Sequence, residues 1–484
     1  MTELSPARRV ALDLLLELEE TGAYARDALD ASPAVRALDR RDAGLAMRLV
    51  LGVVASFGCL DELIDTYAAR PDRMDGRVRE ALRIAAFELV YLKREPRAAV
   101  SQGVELVRTQ TRGAAGFANA VLRRIAEDRY AYLDAVDVAS PSRRRVVALA
   151  RAGGLPVWLA ARIADSIGFD ATCELAASQF DPAPVAVHLN PLDDDAAAEL
   201  MGLGDAAKGV PAAPAPASPL AGALVRVAGA DVVHSAALRR SGLAVCDLNA
   251  QLIATAALAP GSCLEVGAGR GTKTFVMAAQ AARLGVERAA VALELSRKKT
   301  RLNVRRLKRA GLDGGVSCIT GDGCDLDRAL ERIDRGMGER ALFSSVLVDA
   351  PCSGTGTMRR HPEIPWRLVP EDLEMGARDS LPGLQLALLA SAAARVASGG
   401  QLLYATCSVL EEEDEGVVDA FLKSDAGRGF EIAAFSEVEI FGHEGLADAA
   451  TYARAHGTAR GLFRSCPAPG EFDGHFCARL VRRA

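Results

Sequence analysis

"CLEVGAGRGTKT", residues Cys263–Thr274, decides how the second half of this chain folds. Its apolar start reads as a β-strand, its glycines as a tight turn and its end as the opening of a helix. Glu265, Gly267, Gly269 and Gly271 set out the pattern E-x-G-x-G-x-G. Glycines let a backbone pass close beneath a ligand, and the start of the following helix offers free N–H groups. Spacing excludes two other nucleotide-handling loops. A P-loop needs a glycine directly before its Lys-[Ser/Thr] pair, and Thr272 stands there before Lys273 and Thr274. A dinucleotide fingerprint needs G-x-G-x-x-G, which is absent here.

Downstream of this loop the grammar persists. The apolar runs "SCLEVGA", "AAVALEL", "VSCIT", "SSVLVDA" and "GQLLYAT" alternate with helical stretches from about residue 243. That order predicts an α/β fold over residues 236–484, with a parallel sheet covered on both faces and ligands beyond the carboxyl ends of its strands. The second strand ends in Glu294, suited to chelating a ribose diol. The third runs into "TGDG", which puts Asp322 near an adenine amino group. A glycine loop followed by acids on the next two strands predicts S-adenosylmethionine (SAM) rather than a triphosphate, and hence a Rossmann-like methyltransferase domain.

Upstream, residues 1–135 read as helices throughout. "RRVALDLLLELEE" spaces Val10, Leu14 and Leu18 four apart, with Leu15 beside that stripe. Residues 140–235 mix helix ("PVWLAARIADSI") with short alternating pieces, which predicts a small α+β connecting region. Within it "PAAPAPASP" (211–219) carries four prolines in nine residues and reads as a loop or linker.

At 484 residues the chain exceeds one core, so two or three domains are expected. The start has no signal-peptide character, and no run of eighteen apolar residues is found, so no membrane span and a cytoplasmic location are expected. The ten cysteines form no CxxC pair and only six histidines are present, which argues against a metal site and for reduced thiols. A net charge of −5 excludes a general coat of positive charge but not a local basic face.

Two cysteines stand out. Cys352 in "DAPCSGTGTMRRHPEIPWR" and Cys407 in "LLYATCSVLEEEDE" each follow an apolar run, at the sheet edge where the cofactor loop is expected. Carbon 5 of a pyrimidine is too poor a nucleophile to attack a methyl sulfonium unaided. A thiolate added to carbon 6 makes the ring an enamine that can, and a second cysteine has a use in the later elimination. Asp349 is placed to hydrogen bond the Watson–Crick edge of a flipped cytosine.

These two motifs, with the closing "DGHFCARL", resemble the RsmB (Fmu/Sun) group of bacterial 16S ribosomal RNA cytosine-C5 methyltransferases. The resemblance spans nearly the whole chain, because that group also carries an all-α NusB-like domain, matching residues 1–135. It implies an RNA-binding role for that domain, Cys407 as the nucleophile on carbon 6 and Cys352 as the residue that helps release the product. It also implies that Lys273 touches the target base and that 16S ribosomal RNA is methylated; Asp349 is expected to serve both base and cofactor, and the protein is expected to be a monomer. One departure is visible: the group's first motif reads D-x-C-A-A-P-G-G-K-T where this chain has "EVGAGRGTKT". The same chemistry on transfer RNA or another ribosomal site, and an inactive RNA-binding protein, are the alternative readings.

RNA contact is expected from Arg359, Arg360 and His361, which follow the Asp349 motif. "RKKTRLNVRRLKR" (297–309) holds eight basic residues and no acid, and is either a solvated helix or a phosphate contact. "EEEDE" (411–415) reads as a helix start favoured by the dipole, and Trp158 and Trp366 as packing.

Overall fold

A computed structural model describes residues 3–202, 218–225 and 232–483. The chain divides into two compact units, residues 1–182 with 357–369, and residues 183–356 with 370–484.

The first unit is helical. Helices Pro6–Thr21, Arg40–Tyr67, Gly76–Val90, Pro96–Gln110 and Ala115–Leu133 enclose a core that includes Leu12, Leu49, Leu63, Phe87, Leu106 and Leu122. Local chemistry sets their ends. The Asp39 carboxylate accepts from the Asp42 amide at 2.8 Å, prolines open two of the helices, and left-handed Gly22 closes the first. On that first helix Ala7, Ala11, Leu14 and Leu15 are buried, while Val10 and Leu18 are only partly covered. The expected stripe is therefore displaced, because small alanines let a neighbouring helix approach where large residues would hold it away.

Helix Arg40–Tyr67 is long and apolar enough by composition to cross a membrane, but Leu49, Val53, Leu60 and Leu63 on it belong to this core. It bends at Ser56, whose hydroxyl donates to the Gly52 carbonyl at 2.7 Å. Helices Pro141–Gly153, Val157–Ile167 and Phe169–Ser178 complete the run.

Segment 357–369, from the middle of the "DAPCSGTGTMRRHPEIPWR" motif, packs within this helical unit. Trp366 stacks at a tilt on Phe57, with ring centres 5.0 Å apart, and its indole N–H donates to the Ala55 carbonyl at 2.8 Å. The Ala25 amide donates to Glu363 at 2.5 Å, and Arg26 donates to the Arg360 carbonyl at 2.8 Å.

The second unit holds two sheets. Strands β1 (Ala186–Leu189), β2 (Ala223–Val225) and β3 (Leu243–Val245) form a small antiparallel sheet in the order β2-β1-β3. Most of the proline-rich stretch, 211–217, lies outside the described residues. The large sheet contains β4 (Gly261–Val266), β5 (Arg288–Glu294), β6 (Val316–Thr320), β7 (Phe343–Asp349) and β8 (Val396–Thr406), all parallel, in the order β8-β7-β4-β5-β6. All five lie where the apolar runs placed them.

The sheet is mixed rather than wholly parallel. β11 (His475–Arg482) runs antiparallel to β8 and pairs on its far side with β10 (Phe463–Ser465) and β9 (Phe430–Ala433). β9 and β10 are short, so they carry little periodicity, and pairing with β11 defines them.

Trp366 gives the helical unit a testable seat. A Cβ on Gly58 would lie 2.1 Å from its ring. Gly58→Ala should therefore displace the indole and destabilise the unit by about 1–3 kcal/mol. With Trp158→Phe as background, Trp366 emission should shift to the red, and an unshifted spectrum with unchanged stability would contradict the packing.

Candidate active site

Each parallel strand delivers a candidate residue to the same edge of the sheet. β4 turns through Gly267–Gly271 into helix Thr272–Leu284, β5 ends at Glu294 and β7 at Asp349, while Cys352 and Cys407 follow β7 and β8. Gly267, Gly269 and Gly271 all have positive φ. A Cβ on Gly267 would lie 2.3 Å from the Asp349 carbonyl oxygen, so only glycine lets the loop pass β7 this closely. A Cβ on Gly269 would meet nothing nearer than 3.9 Å, so the middle of the loop faces open space.

The two strand-end acids differ in setting. Glu294 is buried and accepts from the Gly269 amide and from the Ser296 amide, both at 2.8 Å, which holds the loop in shape. Asp322 is exposed and accepts from the Cys324 amide at 2.9 Å. Glu265 does not face the open side of the loop. It is 2% exposed, and Thr274 donates to it at 2.6 Å while its other oxygen has no partner. Burial pushes its carboxyl up to about 7.

Lys273 and Asp349 form an ion pair at 2.7 Å. Burial pulls the ammonium down, but the charge and hydrogen bond of Asp349 outweigh it and hold Lys273 above its ordinary value. The sulfurs of Cys352 and Cys407 stand 3.3 Å apart, and both cysteines are free thiols. The hydrogen bond from the Cys352 thiol lowers Cys407; burial and Asp349 oppose that, Lys273 reinforces it, and the net direction is down. Cys352 moves the opposite way, raised by its hydrogen bond to Cys407 and by burial. The pair is therefore polarised, with the thiolate favoured on Cys407 and the proton on Cys352.

Residues that were not singled out for the site turn out to lock this geometry. Glu413, read from the sequence as part of a helix start, is fully buried. It accepts from the Ser353 amide at 2.8 Å, from the Ser353 hydroxyl and from Gln385 at 2.9 Å, tying the Cys352 loop to the Cys407 loop. Neighbouring Asp414 is also buried, accepts from Thr406 at 2.6 Å and pairs with Arg464 at 3.2 Å. The helix itself begins only at Glu415. A run of five acids looks solvated in sequence; two of these are buried because β8 and its following turn fold back over them.

The closing motif acts in the same way. The Gly474 amide donates to the Gly356 carbonyl at 2.8 Å, and the Asp473 amide donates to Asp247 at 3.0 Å. A cavity of about 540 Å³, lined by Pro260, Ser344 and Arg479 among others, opens at the opposite, amino-terminal edge of the sheet and takes no part in this cluster.

With this geometry in hand, likeness to known proteins is decisive. The ribosomal RNA small subunit methyltransferase B of Thermus thermophilus is 33% identical over 420 residues, covering 86% of this chain and 87% of the relative. A sequence model described as "16S rRNA methyltransferase RsmB/F" matches residues 256–481. The chain belongs to this methyltransferase family. Residues 5–127 match the NusB family, so the N-terminal helices form a NusB domain. A probable ribosomal RNA small subunit methyltransferase B of Bacillus subtilis is 29% identical across 86% of this chain. In fold, the crystal structure of PH0851 matches with a TM-score of 0.69 over 99% of both chains, at 20% identity.

Within this family member, the residues expected to meet RNA separate by exposure. His361 is exposed, Arg360 half-buried and Arg359 buried, and all three belong to the helical unit. Arg359 lines a cavity of about 270 Å³ there, with Phe87, Gln179 and Phe180. No group of three or more His, Cys, Asp or Glu side chains able to hold a metal occurs among the described residues.

The buried Glu265 sets a pH dependence. Its folded carboxyl is raised, so between its ordinary 4.5 and about 7 the unfolded chain gives up the proton while the folded chain keeps it. Stability falls through that window as pH rises. Glu265→Gln, which cannot ionise, should gain on the parent across pH 4.5–7 by up to about 3 kcal/mol, at about 1.36 kcal/mol per unit. Parallel pH–stability curves for the two proteins, from denaturant titrations, would refute it.

Proposed function

We propose that the protein transfers a methyl group from SAM to carbon 5 of a cytosine in 16S ribosomal RNA, through a covalent adduct between Cys407 and carbon 6. The observation that carries this reading is the pair of sulfurs 3.3 Å apart beside the Lys273–Asp349 ion pair. Family membership supports the substrate class.

The cofactor loop fits SAM. Open space over Gly269 gives a ligand room against the backbone, and Glu294 offers carboxylate oxygens beside it for hydroxyl donors. Gly267, Gly271 and Glu265 shape the loop from below, and Asp322 stands exposed at the end of the next strand. SAM, when bound, supplies an electrophilic methyl group.

The chain's own residues do the rest. Cys407, held toward the thiolate by Cys352 and Lys273, adds to carbon 6, and the ring's electron pair moves to carbon 5. Once carbon 5 is methylated, its proton leaves to a base, the electrons restore the ring double bond and the carbon–sulfur bond breaks. The charge returns to the Cys407 sulfur, where the Cys352 thiol stands ready to donate to it. Asp349, oriented by Lys273, hydrogen bonds the base edge. The NusB domain, residues 1–135 in this reading, adds RNA affinity and not chemistry. His361 and Arg360 have surface to offer RNA, with Arg359 anchoring their segment. The region 140–235 connects this domain to the catalytic residues of 236–484, and the enzyme acts as a cytoplasmic monomer.

Two measurements test this reading. On a denaturing gel with labelled RNA and SAM, Cys352→Ala should accumulate a protein–RNA adduct, whereas Cys407→Ala should show neither adduct nor methyl transfer. The reverse pattern would exchange the two roles, and full turnover by both variants would exclude covalent catalysis. Secondly, because the Cys407 pKa is lowered, its alkylation should already be fast below the ordinary thiol value of about 8.5. Mass-mapped iodoacetamide labelling should show Cys407 reacting at lower pH in the parent than in Cys352→Ala. An unchanged profile would mean that Cys352 does not activate it.

A further inference from the structure

Helix Arg297–Ala310 begins just past Glu294, at the edge of the sheet that carries the candidate site. Arg297, Lys298, Lys299, Arg301, Arg305, Lys308 and Arg309 on it are exposed, and Arg306 is partly covered. None of the eight has a carboxylate partner among the described residues. Arg306 donates to the Thr272 hydroxyl at 2.9 Å and Arg309 to the Arg239 carbonyl at 3.1 Å.

Six arginines elsewhere in the chain are paired instead. Arg79, Arg83, Arg151, Arg240, Arg395 and Arg464 each meet two carboxylates. Like charges three and four residues apart on a helix repel and weaken it. In a protein of net charge −5, a helix that keeps eight cations without an acid bears a cost the fold does not require.

The cations are also arranged. Arg297, Arg301 and Arg305 recur every fourth residue, about 6 Å apart along the axis at 1.5 Å per residue. They line an open cleft of about 460 Å³ together with Thr300 and Thr320. Thr320 closes β6, the outermost strand of the sheet on this side, whose Ser317 and Thr320 are exposed. A ladder of guanidinium groups beside hydroxyls and a free strand edge matches a polyanion with a regular repeat. Guanidinium groups bind phosphate oxygens in a fork, which suits each rung to one phosphate.

We propose that the cleft between helix Arg297–Ala310 and β6 is a phosphate-backbone rail for RNA, with Arg297, Arg301 and Arg305 each holding a phosphate of the strand flanking the target cytosine. The proposal rests on the RNA substrate argued above and adds the surface along which that strand runs. The rail reads charge and spacing, not bases, so its contribution is independent of sequence.

The test is a salt titration of RNA binding by the full-length protein. The variant Arg297→Ser, Arg301→Ser, Arg305→Ser should bind a 16S fragment roughly ten- to a hundredfold more weakly at about 0.1 M salt. The slope of log affinity against log salt should fall by roughly 2, at about 0.7 per phosphate lost from a single strand. An unrelated RNA of equal length should lose affinity to the same degree, SAM affinity should be unchanged, and the triple Arg→Lys variant should recover the slope. Unchanged RNA affinity and slope in the serine variant, or a loss confined to the 16S fragment, would overturn the rail. Parent protein that binds both RNAs but leaves no methyl group on the 16S fragment would instead overturn the proposed function and leave the rail standing.

Discussion

The parallel pairing of β7 with β8 is the constraint on which the candidate site depends. Its register sets Asp349 opposite Ala405, and the Ala350 amide donates to the Ala405 carbonyl at 2.9 Å. Both chains therefore leave the sheet side by side, and the residues just beyond, Cys352 and Cys407, are brought to sulfur contact. Past the strand ends the tie continues, as the Gly356 amide donates to the Cys407 carbonyl at 2.9 Å. A slip of one residue would turn every side chain of one strand to the opposite face and remove Asp349 from Lys273.

Once the cysteine loops are adjacent, their environment decides which sulfur carries charge. The contact alone is symmetric in kind. The hydrogen bond from the Cys352 thiol is the largest influence lowering Cys407, with Lys273 adding to it and Asp349 opposing it, while Glu413, buried near both, penalises charge on either sulfur. Lys273 is itself held by Asp349, whose strand is pinned to the glycine loop by the close pass at Gly267. The glycine loop, Asp349, Lys273 and Cys407 thus share one chain of contacts.

Burial of acids in this half of the protein follows one rule. Glu413 and Asp414 are covered only because each has donors, from Ser353 and Gln385 in one case and from Thr406 and Arg464 in the other. Buried charge is tolerated when its hydrogen bonds are satisfied and is costly when they are not. Burial raises all three carboxyls despite those donors, and Glu265, with one oxygen unpartnered, is pushed to about 7. The opposite rule governs helix Arg297–Ala310, where cations are left exposed without acids, as a surface awaiting an anion would require.

The sequence by itself determined what depends on neighbours along the chain. The alternation of apolar runs and helical stretches located β4 to β8, since a strand buried on both faces must be apolar along its length. The spacing of Gly267, Gly269 and Gly271 marked the loop, and the long cysteine motifs identified the family. Tertiary structure alone decided what depends on residues distant in sequence. No local pattern shows that Glu413 binds Ser353, that Gly356 meets Gly474, or that Glu265 is buried with Thr274 donating to it, because each needs strands and helices from different parts of the chain to be in place. The same holds for segment 357–369: its residues look like an extension of the cysteine motif, but Trp366 and Glu363 find their partners in helices more than 300 residues earlier. Local propensity fixes elements, while packing and hydrogen-bond satisfaction between them fix which side chains are left to react.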